Sequence, residues 1–128
     1  MHRRAARDVE VTDAPGEQRP FVSQAFCSAL PVAYTQVEAH HWKAFASLVL
    51  EAAYEATMWS AVLNAKRGAS NVVLLTFLGG GAFGNDDAWV LGAMRRALET
   101  MRSFALEVKI VSYREPSQAV LRIVEEFR

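Results

Sequence analysis

The sequence is poor in cysteine, with Cys27 as the single thiol in 128 residues. One thiol excludes an internal disulfide and a zinc site built from several cysteines, and it favours a reducing compartment. The chain also lacks any apolar run of about 18 residues, which is the length that a membrane-spanning helix needs. We therefore expect a cytoplasmic protein that has no membrane partner.

The chain has no excess of charge of either sign. Its 14 Lys and Arg residues balance 14 Asp and Glu residues, so nothing in the charge predicts a nucleic-acid partner. Residues 1–7 are basic but lack the apolar core of a signal peptide, and we expect them to be disordered or frayed. Apolar residues make up 52% of the chain, which suffices for one core, so residues 1–128 are expected to form a single domain.

The spacing of apolar residues predicts strands and helices in the order β-β-α-β-α-β-α. The first two strands should pair as an antiparallel hairpin, and the later alternation of strands with helices is typical of parallel strands. Together these patterns predict an α/β fold with a mixed sheet and helices on both faces, in three layers. The predicted strands are 8–11, 21–33 with its end near Leu30 and Pro31, 72–78 and 105–113. The predicted helices run from about 38 to about 67, from a cap at Asn85, Asp86 or Asp87 to about 102, and over 120–127.

The most informative stretch joins the third predicted strand to the next helix. Four glycines follow the apolar run 72–78 within six positions, at Gly79, Gly80, Gly81 and Gly84. A strand–loop–helix unit exposes backbone N–H groups to an anion, and glycine lets a phosphate approach closely. The spacing is not the Gly-x-Gly-x-x-Gly of dinucleotide folds, and no Lys-Ser/Thr follows as in a Walker loop. A tight turn that binds nothing explains the glycines equally well, so both alternatives stay open.

The run 74–85 (Leu-Leu-Thr-Phe-Leu-Gly-Gly-Gly-Ala-Phe-Gly-Asn) resembles the second phosphate-binding loop of macrodomains, the family that binds ADP-ribose. Over residues 21–128 the chain is similar to the carboxyl-terminal half of bacterial macrodomain-like proteins related to poly(ADP-ribose) glycohydrolases. The resemblance therefore implies a truncated, partial macrodomain. The ligand-binding residues that it implies are Gly79, Gly80, Gly81, Ala82, Phe83, Gly84, Asn85 and Tyr113.

The resemblance also implies roles within this set. Backbone amides from Gly80 to Gly84 would surround a diphosphate. Phe83 would pack near the ribose or serve as a hydrophobic plug, and Tyr113 would stack on adenine or be an ordinary residue at a strand end. The resemblance implies no catalytic residue, metal ligand or resident cofactor.

Two parts of the family pattern are missing from the sequence. No asparagine-bearing ligand loop precedes Phe21, and no Gln-Glu-Glu follows the three consecutive glycines. Three functions remain, and we rank them in this order: a module that binds ADP-ribose or a related nucleotide diphosphate, a non-binding structural or assembly remnant, and an ADP-ribosyl hydrolase.

Other polar residues favour ordinary structural roles. His40 and His41 are adjacent on a predicted helix, where their side chains diverge by about 100°, so a shared metal ion is not expected. Glu51 and Glu55 lie one helical turn apart, either as a carboxylate pair or, as we prefer, on a solvated face. Cys27 is expected to pack in the interior and not to serve as a nucleophile.

The predicted helix 38–67 is apolar on more than one side. Trp42, Phe45 and Val49 belong to the stripe expected to face the core, whereas Leu48 and Trp59 lie outside it. A helix with so wide an apolar surface packs between two layers or buries a second face against another chain. We therefore expect a homodimer that buries part of this helix.

Overall fold

The computed structural model describes residues 4–128, which contain four strands and three α-helices in the predicted order. The α/β class is therefore confirmed. The strands are β1 (Arg4–Glu10), β2 (Phe21–Phe26), β3 (Val72–Thr76) and β4 (Glu107–Val111). The helices are α1 (Ala39–Lys66), α2 (Asp87–Thr100) and α3 (Gln118–Glu126). Short 3-10 turns lie at Val32–Tyr34 and Gly81–Phe83.

The amino-terminal strand begins earlier than the sequence predicts. β1 starts at Arg4 and pairs antiparallel with β2, so the prediction that residues 4–7 are frayed is wrong; residues 1–3 lie outside the described part. A bulge interrupts β1, and within it Asp8 has a φ of 52°, a conformation that a short polar side chain tolerates. The Arg67 guanidinium donates to both carboxylate oxygens of Asp8, at 2.8 and 3.3 Å. This hydrogen bonding holds the pKa of Asp8 below its ordinary value.

The prediction of one mixed sheet is wrong, because the strands form two separate sheets. β1 and β2 make an antiparallel pair, and β3 and β4 make a parallel pair. No backbone ladder joins β2 to β3 within residues 4–128. The second predicted strand also ends early, at Phe26 instead of near Leu30 and Pro31. Beyond it, the carbonyl group of Leu30 is bound by the side chain of Asn85, which ties this segment to another loop instead of to a strand.

The helices cover only one face of the β3–β4 sheet. Val73 and Leu75 point into the core, whereas Val72, Leu74 and Val111 are exposed on the opposite face. The described residues thus form two layers where three were predicted. The largest fully buried side chains are those of Leu50, Met58, Val62, Leu75, Val90, Met94 and Ile123.

α1 buries one side and exposes an apolar stripe on the other. Its core side includes Ala46, Val49, Leu50 and Tyr54, but Phe45, which the sequence assigns to the core, is exposed. The exposed residues, which we call the outer stripe of α1, are Phe45, Leu48, Trp59 and Leu63. No helix within residues 4–128 combines the length and hydropathy of a membrane span.

Candidate functional site

The glycine loop, which we define as residues 79–85, connects the end of β3 to the start of α2. Three of its glycines adopt the left-handed conformation: φ is 79° at Gly79, 68° at Gly81 and 69° at Gly84. Residues with a side chain avoid this conformation, so glycines at these three positions allow a backbone path that most other loop sequences could not adopt. The loop leaves β3 at the sheet edge toward which β4, running parallel, also points.

Packing accounts for some of these glycines but not for all. A Cβ atom at Gly79 would lie 2.2 Å from the Cβ of Ala29, and one at Gly84 would lie 2.7 Å from the Cβ of Ala33. Both contacts are closer than real Cβ atoms approach. A Cβ atom at Gly81, in contrast, would meet no atom within 4 Å. Two of the left-handed glycines are therefore required by close packing, whereas Gly81 borders open space.

Asn85 fixes the shape of the loop from within. Its side chain is buried, and its Nδ2 donates to the carbonyl oxygens of Leu30 at 2.8 Å and Gly79 at 3.1 Å. Its backbone N–H also donates to the Gly79 oxygen, at 3.1 Å. Its Oδ1 atom is buried and has no hydrogen-bond partner in the described part of the chain. Asn85 thus joins both ends of the loop to the segment that follows β2.

The predicted set of ligand-binding amides is reduced by hydrogen bonds inside the loop. The N–H of Gly84 donates to the Gly81 oxygen at 3.0 Å, and the N–H of Asn85 is used as described above. The amides of residues 79–82 have no hydrogen-bond partner among residues 4–128. These four amides are the donors that the folded loop leaves for a ligand.

The two aromatic residues predicted to contact a ligand are placed differently. Phe83 is half-buried against the core and meets the Tyr34 ring edge-on, with centroids 6.0 Å apart and an angle of 74°. It therefore fills the role of a hydrophobic plug. Tyr113 follows the end of β4, and its side chain is 100% exposed, so it contacts neither the loop nor Phe83.

Tyr54 fixes the start of the loop, a role that the sequence analysis missed. Its hydroxyl group donates to the carbonyl oxygen of Thr76 at 2.8 Å and accepts from the N–H of Leu78 at 3.0 Å. Burial raises the pKa of Tyr54 to about 12, and the Leu78 amide opposes that rise. The sequence does carry one signal for this role, which is a tyrosine on the core side of a long helix. A buried hydroxyl group needs a polar partner, so such a tyrosine is expected to bind the backbone of another element.

A concave feature lies between the two sheets, away from the glycine loop. This inter-sheet groove has a volume of about 800 Å³, and both β2 and β3 line it along their length. Its floor is one side of α1 and is formed by Ala53, Tyr54, Thr57, Ser60, Ala61 and Asn64. The sequence pattern predicts no such groove, because it places β2 and β3 in the same sheet.

The remaining candidates are surface or packing groups. Contrary to the sequence analysis, His40 and His41 do converge: their potential ligand atoms and those of Glu38 lie within 4.8 Å of one another. The two rings lie against each other with their centroids 3.8 Å apart, and Nδ1 of His40 lies 3.2 Å from a carboxylate oxygen of Glu38. All three side chains are exposed, which identifies a surface cluster. Cys27 is half-buried, with its thiol 3.8 Å from the Ala53 oxygen.

No protein-family model, curated protein or solved structure matches this chain. The macrodomain resemblance therefore rests on the sequence, above all on residues 74–85. The functional proposals below depend on the geometry of the glycine loop, the outer stripe of α1 and the inter-sheet groove.

Proposed function

We propose that this chain is a cytoplasmic module that binds ADP-ribose or a related nucleoside diphosphate through its glycine loop. The observation that supports it most is the set of unpaired amides of residues 79–82, beside the open space at Gly81. Successive unpaired backbone amides next to a glycine without a close neighbour suit an anion whose oxygens approach the main chain. The resemblance to the macrodomain loop favours a diphosphate as that anion.

The loop amides, and not the end of α2, would supply this attraction. The Oδ1 atom of Asp86 already accepts the N–H of Ala88 at 2.8 Å, which caps the helix. Asp87 adds a second carboxylate in the first turn. These two carboxylates largely neutralise the positive amino-terminal end of the α2 dipole. A hydrogen bond from an amide to a charged oxygen contributes about 1.5–3 kcal/mol. Each unpaired loop amide is therefore important for affinity.

Replacing Ala82 with proline tests this proposal. Ala82→Pro removes one free amide without removing any hydrogen bond that the loop makes internally, whereas Ala82→Ser keeps the amide. We expect calorimetric titration with ADP-ribose to give a dissociation constant about 10–100-fold weaker for Ala82→Pro than for the wild type. Ala82→Ser should match the wild type, because its main-chain donor is unchanged.

Two results would contradict the assignment. The first is the absence of heat and of any thermal shift with ADP-ribose at about 1 mM, which would leave the loop as a purely structural turn. The second is equal affinity for ADP-ribose and for adenosine, because adenosine lacks the phosphates that the amides are proposed to bind. Matched circular dichroism spectra of the variants would show that the fold is retained.

The outer stripe of α1 supports a second role, assembly with another copy of this chain. Phe45, Leu48, Trp59 and Leu63 follow one another along a single side of the helix. Trp59 is partly covered by Phe104, whose ring meets it edge-on at 5.7 Å. A continuous exposed apolar stripe is typical of a protein interface. A homodimer that pairs two such stripes would bury them.

A charge in the outer stripe should prevent this association. Leu48 is 59% exposed, so Leu48→Glu is expected to leave the fold intact while placing a carboxylate in the proposed interface. Light scattering at micromolar concentration should show a dimer for the wild type and a monomer for Leu48→Glu. Glu55→Gln, a change of similar size beside the stripe, should stay dimeric. A monomeric wild type would disprove the homodimer.

A further inference from the structure

The groove-facing edge of β3 carries backbone groups that are available to another strand. Asn71 accepts the N–H of Glu107 at 2.9 Å, so the backbone groups of Asn71 point toward β4. Neighbouring residues of a strand direct their N–H and C=O groups to opposite edges. The groups of Val72, Leu74 and Thr76 therefore point away from β4, toward the inter-sheet groove that these residues line.

The facing edge of β2 is open in the same way. The N–H of Val11 donates to the carbonyl oxygen of Pro20 at 2.9 Å, so the backbone of Pro20 points toward the β1 side of the hairpin. The same alternation then directs the backbone groups of Phe21, Ser23 and Ala25 away from β1. The groove is thus bounded by two strand edges whose donors and acceptors point at each other without a ladder between them.

Side chains cap both ends of the open β3 edge. The Oγ atom of Ser70 accepts the N–H of Val72 at 3.1 Å, and the Tyr54 hydroxyl binds the oxygen of Thr76 at 2.8 Å. The groups left between these caps are the oxygen of Val72, both groups of Leu74 and the N–H of Thr76. This sequence of acceptor, donor, acceptor and donor matches a short segment of extended polypeptide.

The floor and charges of the groove suit a strand better than a compact ligand. Four of the six floor side chains are small, and Ala53, Thr57, Ser60 and Ala61 are spaced along one side of α1, so a strand can lie close to the helix there. Thr57 and Ser60 already donate their hydroxyl groups to oxygens within α1, at 2.9 Å each. The floor hydroxyl donors are therefore in use, whereas the backbone groups of the two strand edges are free.

We propose that the inter-sheet groove binds an extended polypeptide segment of a partner protein as an added strand, which joins β2 and β3 into one sheet. The main chain of the partner would satisfy both open edges at once, a recognition mode that needs no particular side chain. Its residues directed at α1 would be small and apolar. It would carry no net charge, because the charged side chains that line the groove, those of Asp8 and Arg67, neutralise each other. This proposal does not depend on ligand binding by the glycine loop.

A display library of random octapeptides, selected on the purified full chain, tests the proposal. We expect enriched peptides with small apolar residues at alternate positions and no proline in the central segment. Amide hydrogen exchange should show that a selected peptide slows exchange at Leu74 and Thr76 by about tenfold or more. The amides of Val73 and Leu75, which point toward β4, should change little.

Two variants of one residue provide the matched comparison. Leu74→Pro removes the central groove-facing N–H donor but leaves the hydrogen bonds between β3 and β4 intact. Proline is tolerated in a strand where its nitrogen faces the unpaired edge, as at this position. We expect it to weaken peptide binding about tenfold or more, whereas Leu74→Ala should stay within about twofold of the wild type. N-methylation of alternate residues in a selected peptide should weaken binding in both registers, because one set of N–H groups faces β3 and the other faces β2, and this test requires no change to the protein.

Three results would overturn the proposal. The first is a library that yields no peptide dependent on Leu74. The second is a selected peptide that binds with no change of exchange at Leu74 and Thr76. The third is strong protection of these two amides in the free protein together with a dimeric state, because the groove would then be filled by a second copy of this chain.

Discussion

Removing the hydroxyl group of Tyr54 is expected to lower the free energy of unfolding by about 2–4 kcal/mol. Tyr54→Phe keeps the ring in the core but leaves two backbone groups without a partner, the oxygen of Thr76 and the N–H of Leu78. A buried group that loses its only partner costs about 1–3 kcal/mol, and the hydrogen bonds lost here are both partly buried. Urea denaturation, compared with that of the wild type, measures the effect.

The same hydroxyl group should give the stability a distinct dependence on alkaline pH. Burial raises the pKa of Tyr54 from 10.0 to about 12 in the folded protein, so the unfolded chain releases this proton first. The contribution of Tyr54 is then complete below about pH 10 and is lost as the pH rises through about 12, by about 2–3 kcal/mol in total. Tyr54→Phe has no such group to titrate. The difference in the free energy of unfolding between the wild type and Tyr54→Phe should therefore become smaller at high pH.

Tyr34→Phe provides the control for both measurements. The Tyr34 side chain is exposed, and removing its hydroxyl group should change the free energy of unfolding by no more than about 0.5 kcal/mol. An equally small change for Tyr54→Phe, or a deficit that stays constant up to pH 12, would show that the Tyr54 hydroxyl does not hold the end of β3.

Gly79→Ala is expected to destabilise the protein by about 2–4 kcal/mol, far more than the same change at Gly81. Both glycines are left-handed, which costs an alanine about 1–2 kcal/mol. At Gly79 the new methyl group would also overlap the Cβ of Ala29, at 2.2 Å, and crowd the side-chain amide of Asn85, at 2.9 Å. Overpacking of this kind costs about 1–3 kcal/mol more.

Gly81→Ala is the matched variant, because its methyl group would enter open space. It should lose only about 1–2 kcal/mol, as measured by the same urea titration. Equal losses for the two variants would mean that the approach of Ala29 to Gly79 contributes nothing. The comparison also separates structure from binding, since Gly81→Ala alone should disturb the space proposed for a phosphate.

Local pattern was enough to predict most secondary structure. The periodicity of 72–78, the glycines that follow and the cations before Gly68 predicted β3, its loop and the end of α1 close to where they lie. The presence of the amino-terminal hairpin was also predicted, although not its start at Arg4. These features depend on residues that are near one another in the chain, so the sequence alone reports them.

Contacts between distant residues could not be read in the same way. Asn85 was assigned to a ligand, but its side chain binds Leu30, 55 residues away, and Tyr54 reaches Thr76 across 22 residues. Likewise, no local pattern states whether two predicted strands share a ladder, which is why one mixed sheet was expected. The unpaired amides of the glycine loop depend on its folded path and could be identified only in the structure.

The separation of the two sheets has a mechanical consequence. Within residues 4–128, side chains and no backbone hydrogen bonds tie the β1–β2 hairpin to the other elements, through contacts such as those of Asp8 with Arg67 and of Ser23 with Asn64. A force applied at the amino terminus would break these few contacts before it reached the β3–β4 ladder. The chain should therefore unfold in two steps under an applied force. A strand bound in the groove would link the two sheets, and the protein would then unfold in one step.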